Sequence, residues 1–124
     1  MNEDLVIPDF ENGLDIYDFL VNHVMELDQA NLGVLTERLV ELDSNGQFSA
    51  SSARFLASVD RNRFESAVSR LVEISIGKDR ERKYIGSLLK SLWGDDYMEK
   101  ADSLRKSDDN FRRIYKRIYQ SGDF

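Results

Sequence analysis

The chain has 124 residues and no cysteine, one histidine, one tryptophan and one proline. Without cysteine there are no disulfides and no thiolate metal sites. That usage fits a reducing compartment, so a cytoplasmic location is expected. The single histidine, His23, excludes a helical His–Glu–x–x–His pair or a His-rich metal site within one chain. No nucleophile elbow surrounds any serine, and the glycines form neither a phosphate loop nor a dinucleotide fingerprint. No enzyme activity, cofactor or metal is therefore expected. No stretch approaches the ~18 apolar residues of a membrane span. Residues Met1 to Asp4 are acidic rather than basic, so no signal peptide is expected either.

Cations are scarce in the front of the chain. Residues 1–50 hold eleven Asp/Glu and a single cation, Arg38, whereas residues 51–124 hold sixteen Lys/Arg and twelve Asp/Glu. The front is a strong anion and the back a mild cation within an overall net charge of −6. Such asymmetry implies a charged partner, or attraction between the two ends of the fold.

Helical periodicity fills what remains. Leu5-Val6-Ile7 reads as part of an extended N-terminal arm over residues 1–11, ahead of one all-α domain spanning 1–124. A first helix is predicted from an Asn12 cap to about Gln29, and a second from Asn31 with Leu32, Leu35, Leu39 and Leu42 on one side. A third starts at Ser49 or Ser51, a fourth at Asp60, and Gly77 is placed just past the end of the fourth. Asp79 caps a fifth helix that stops at Gly94, with Gly86 allowing a close neighbour. Asp95 or Asp96 opens a sixth, and Ser107 caps the seventh. The expected fold is a single-domain bundle of about seven short helices, or stacked helical hairpins.

Residues 41–52, ELDSNGQFSASS, raise the question of calcium. With Gly46 at the sixth loop position, Glu41, Asp43 and Asn45 fall at positions one, three and five, and DSNGQFS resembles the middle of an EF-hand. Ser52 stands where such a loop needs a bidentate glutamate. Two carboxylates compensate a divalent cation poorly, so the stretch is read as an Asn-Gly turn between helices.

Two charged surfaces remain. In NFRRIYKRIYQ, residues Arg112, Arg113, Lys116 and Arg117 share a polar side opposite an aromatic stripe. They form a candidate phosphate grip, although the net negative charge disfavours general nucleic-acid affinity. On the first helix, a wheel at about 100° per residue gathers Leu14, Tyr17, Leu20, Val21, Val24 and Leu27 as a core stripe. Asp15, Asp18, Asn22 and Glu26 form a narrow band elsewhere, with Phe19 and His23 at its edge. Carboxylates beside one aromatic have the form of a protein-binding patch. Glu3, Asp4, Asp9 and Glu11 extend the negative field. The structural alternative is that Phe19 packs beneath the arm, against Ile7 or Phe10.

A small, cysteine-free, acidic, helical domain carrying Asp15, Asp18, Asn22 and Glu26 beside Phe19 resembles, at the level of class, the immunity proteins of bacterial toxin systems. These include the partners of colicin nucleases and of contact-dependent growth-inhibition toxins. The resemblance implies an antitoxin in which carboxylates occupy the phosphate ground of a basic nuclease. Two other readings stay open. One is a helical adaptor or regulatory subunit, including a homodimer in which acidic front meets basic back. The other is a nucleic-acid-binding module using the basic last helix.

Overall fold

A computed structural model describes residues 5–120, and among them there are seven α-helices and no strand. In chain order these are α1 (Gly13–His23), α2 (Gln29–Leu42), α3 (Gln47–Asp60), α4 (Glu65–Lys78), α5 (Gly86–Trp93), α6 (Ala101–Ser107) and α7 (Asp109–Tyr115). A 3-10 turn, Val24–Glu26, follows α1, and a π-helical turn, Lys116–Gln120, follows α7. The helical hairpin α3–α4 is the centre. Helix α1 packs on α2 and α3, α2 packs on α4, α5 packs on α3, and α7 packs on α4 and α5.

One apolar core joins these elements, with Phe64 and Phe111 as its largest fully buried side chains. Ile16, Leu20, Leu35, Leu39, Leu56, Leu71, Leu88 and Leu89 fill it from five helices. Each fully buried Leu or Ile contributes about 1.5–3 kcal/mol relative to exposure. The arm before α1 is not helical. Leu5, Ile7 and Phe10 pack half-buried against the core while Val6 faces solvent.

Helix ends follow local chemistry, and several expected boundaries move. Asn12 caps α1 through Asn12 Oδ1, which accepts from Asp15 N at 2.9 Å. The helix ends at His23 rather than near Gln29, because Asp28 starts the next one. Asp28 Oδ1 accepts from Asn31 N at 2.8 Å, and Asn31 Oδ1 accepts from Asp28 N at 3.1 Å. This reciprocal pair makes Asn31 the third helical residue and not the cap. Helix α3 begins at Gln47, before either expected serine. Gly46 precedes it at φ 85°, and a side chain there would meet Ser75 O at 3.1 Å, so α4 passes too close for anything but glycine.

The Asp60 carboxylate caps only a turn, accepting from Arg63 N at 3.1 Å, and α4 itself starts at Glu65. That helix runs through Gly77 to Lys78, so Gly77 is an interior residue. Its end is held by two cations. Lys78 Nζ donates back to carbonyls at the end of α2 and to Asp43 O, just past it, at 2.7 Å, and Arg117 donates to Ile76 O at 2.6 Å and Asp79 O at 2.8 Å. Residues 95–100 form turns, so α6 opens at Ala101 rather than at Asp95 or Asp96. Asp108, not Ser107, caps α7, and its other carboxylate oxygen accepts from Trp93 Nε1 at 2.9 Å.

Candidate functional site

Helix α1 presents the acidic band, and its rotation decides what that band shows. The buried face is Gly13, Ile16 and Leu20. A side chain at Gly13 would approach Phe48 Cδ2 to 2.9 Å, so the ring of Phe48 on α3 sits directly on the helix backbone and pins the rotation. The expected core stripe is therefore off by part of a turn. Leu14 is 47% exposed, and Tyr17 and Val21 are half-buried. Helix α1 carries apolar residues at 14, 16, 17, 19, 20 and 21, so periodicity alone does not choose between the Leu14 and the Ile16 faces.

With that rotation, Asp15, Asp18, Asn22 and Glu26 all face solvent. Glu26 Oε1 meets His23 Nδ1 at 3.2 Å. Asp15 lies in the first turn, where a carboxylate is favoured by the helix dipole. Asp18 is in the middle of the helix and gains nothing there. Among the described residues, no Lys, Arg or His pairs with Glu11, Asp15 or Asp18.

That contrasts with several other exposed acids. Glu37 and Glu73 share Arg70, Glu65 pairs with Arg61, and Asp9 and Glu41 flank Arg38 at 3.7 and 3.0 Å. The Glu37 carboxylate, with help from Glu73, raises the pKa of Arg70. Asp15 and Asp18 stand at i,i+3 within α1, a spacing at which like charges cost an isolated helix about 0.2–0.5 kcal/mol. The band is thus mildly destabilising to the free chain. Glu3 and Asp4 lie outside the described residues.

Phe19 is partly covered by the N-terminal arm. It is half-buried, with the Phe10 ring edge-on at 5.6 Å and the His23 ring tilted over it at 4.4 Å. The arm, through Phe10 rather than Ile7, provides its edge-on aromatic neighbour. Two further side chains, which the wheel assigned to the core or passed over, are exposed. Leu14 on α1 is 47% exposed and Met25 is 71% exposed. Met25 lies beyond the end of α1, in the 3-10 turn Val24–Glu26, so α-helical spacing from Leu14 carries no signal for it.

Set against known protein families, curated proteins and solved structures, the chain matches none.

The remaining sequence candidates sort cleanly. In the EF-hand-like stretch, Asp43 is buried and Asp43 Oδ2 accepts from Ser49 N and Ser49 Oγ, both at 2.7 Å. The carboxylate is a helix cap facing the protein. The Lys78 ammonium already serves carbonyls at the end of α2, those of Leu39, Val40 and Asp43. Among the described residues no group of three or more His, Asp or Glu is arranged to hold a metal ion, and no helix is long and apolar enough to cross a membrane.

The basic candidates of the last helix do not act together. Arg117 turns inward onto α4 carbonyls, and Arg113 is half-buried. Arg112 pairs with Asp109, whose carboxyl it holds below the usual carboxylate range. Arg112 and Lys116 instead join Arg105 and Lys106 of α6 along one groove.

Proposed function

We propose that this chain is a protein-binding module that presents the solvent face of α1 to a basic partner protein, as an immunity protein or antitoxin does to a nuclease toxin. The observation that carries this reading is that three neighbouring exposed carboxylates, Glu11, Asp15 and Asp18, have no cation of the described residues beside them, whereas Glu37, Glu41, Glu65 and Glu73 are each paired with an arginine. A row of uncompensated carboxylates lowers the stability of the free helix and raises the rate at which a cationic surface is encountered. Exposed Leu14 and Met25 and the exposed part of Phe19 supply apolar contact near that row. Together they have the composition of a steered interface, with charge for encounter and register and a few apolar anchors for lifetime. A nuclease active site is built to receive phosphates, so a carboxylate row can occupy the same ground.

The test uses affinity capture from the native host with the wild-type chain and with Asp15→Lys/Asp18→Lys. Both positions are exposed, and circular dichroism checks that the variant stays helical. The wild type is expected to capture a basic protein whose nuclease activity is suppressed while bound. The double variant is expected to lose that protein. Equal capture by both chains would remove α1 as the binding face, and a captured protein without nuclease activity would remove the toxin reading while leaving the interface.

A further inference from the structure

A second charged surface lies away from α1. Helices α6 and α7 meet at a corner of one residue, Asp108, and an open groove of about 450 Å³ runs beside them. Arg105 and Lys106 line it from α6, Arg112 lines it from α7, and Lys116 and Gln120 line it from the π-helical turn. Asp102 is the one carboxylate in the lining. Four cations face one acid, within a chain whose net charge is −6.

The cations are only partly compensated. Asp102 accepts from Arg105 Nη2 at 2.6 Å, and Asp109 accepts from Arg112. Lys106 and Lys116 have no carboxylate within ion-pair distance among the described residues. Arg112 and Lys116 stand four residues apart, a like-charge spacing that costs the helix a few tenths of a kcal/mol.

The Arg105 guanidinium is held in place. It lies over the Tyr115 ring, 5.1 Å from its centroid, and Tyr115 stacks at 5.6 Å on fully buried Phe111. Its Nε is buried and meets no acceptor among the described residues. A guanidinium fixed by an aromatic platform loses less freedom on meeting an anion than a free one does. π-Helical turns inside helices are rare and recur at functional sites. Here that turn carries two of the lining residues.

We propose that this groove binds a compact anion bearing two or more linked phosphates, either free pyrophosphate or the polyphosphate of a nucleotide. A confined set of four cations matches a short, densely charged ligand. A polynucleotide needs a longer basic track, and Arg117, which would extend this one, is spent on the carbonyls of Ile76 and Asp79. The net negative charge of the chain adds repulsion that grows with polymer length. This site is independent of the α1 face.

The test is calorimetric titration of the full chain at low salt with pyrophosphate, ATP and a single-stranded oligonucleotide in separate arms. Lys106→Ala/Lys116→Ala is the comparison, because both side chains are exposed and a thermal melt checks the fold. Pyrophosphate is expected to bind, and the double variant to weaken it about tenfold or more, roughly 1.4 kcal/mol. Tighter binding of ATP assigns the site to nucleotides, and equal binding assigns it to the diphosphate alone. No pyrophosphate binding, unchanged affinity in the variant, or binding of the oligonucleotide alone would each overturn the proposal.

Discussion

Replacing Asp79 by alanine tests the physical account of the fold at its most concentrated point. Asp79 is buried, and its carboxylate collects three backbone donors. Lys83 N reaches Oδ1 at 2.9 Å, while Tyr84 N and Ile85 N reach Oδ2 at 2.7 and 2.8 Å. These bonds set the turn from α4 into α5 and hold Arg82 at φ 59°, a left-handed conformation unusual for a side chain other than glycine. Truncation frees the Lys83 amide toward water, but Ile85 is fully buried and its amide is left without an acceptor. A bond to a charged group contributes about 1.5–3 kcal/mol and a stranded buried donor costs about 1–3 kcal/mol, with incomplete additivity. Asp79→Ala should therefore cost about 3–5 kcal/mol, a large part of the 5–15 kcal/mol typical of a domain. Asp79→Asn keeps one acceptor oxygen and should cost about half as much. Urea unfolding followed by circular dichroism reads both, and the midpoint should fall by about 1–3 M for alanine. A loss under about 1 kcal/mol for alanine would refute the claim that this carboxylate organises the turn.

Lys78→Met keeps the aliphatic stem but removes the donor to Leu39, Val40 and Asp43; a loss of about 2 kcal/mol is expected in the same assay. Tyr97 donates to or accepts from the Tyr119 hydroxyl at 2.7 Å, and this bond, with burial, pushes its pKa up to about 12 from 10.0. The folded state then favours the protonated phenol, so its contribution to stability is full below pH 10.0 and is lost as pH rises through about 12. Absorbance titration should show one tyrosine ionising late, and Tyr119→Phe should bring it back toward 10.0. Asp18→Lys replaces a repulsion with Asp15 by an attraction, so it should stabilise the free chain by about 0.3–0.5 kcal/mol while weakening partner binding; a destabilised variant would mean that Asp18 serves the fold.

Much of the helical order was legible because its signals are local. Asn12 and Gly94 mark their termini in the sequence, and Leu32, Leu35 and Leu39 announce the buried side of α2. The misplacements arose where two local signals compete. Asp28 and Asn31 are both good caps, and only their reciprocal bonds show that Asp28 is first. Asp108 likewise outcompetes Ser107. The rotation of α1 was not legible, because apolar residues occupy most of its circumference and the choice depends on Phe48, far along the chain, resting on Gly13. That rotation exposed Leu14 and showed Arg38 bonding other acids than Asp15 and Asp18. The basic groove was half legible. Arg112 and Lys116 are four apart on one helix, but their joining to Arg105 and Lys106 depends on the corner at Asp108.

The association rate between this chain and the protein it captures, measured over a salt series for wild type and Asp15→Lys/Asp18→Lys, tests the central claim most directly. The wild-type rate should be high at low salt and fall steeply as salt rises, while the variant should be slower and nearly independent of salt. Superimposable salt curves for the two chains would show that the carboxylates of α1 do not guide a partner.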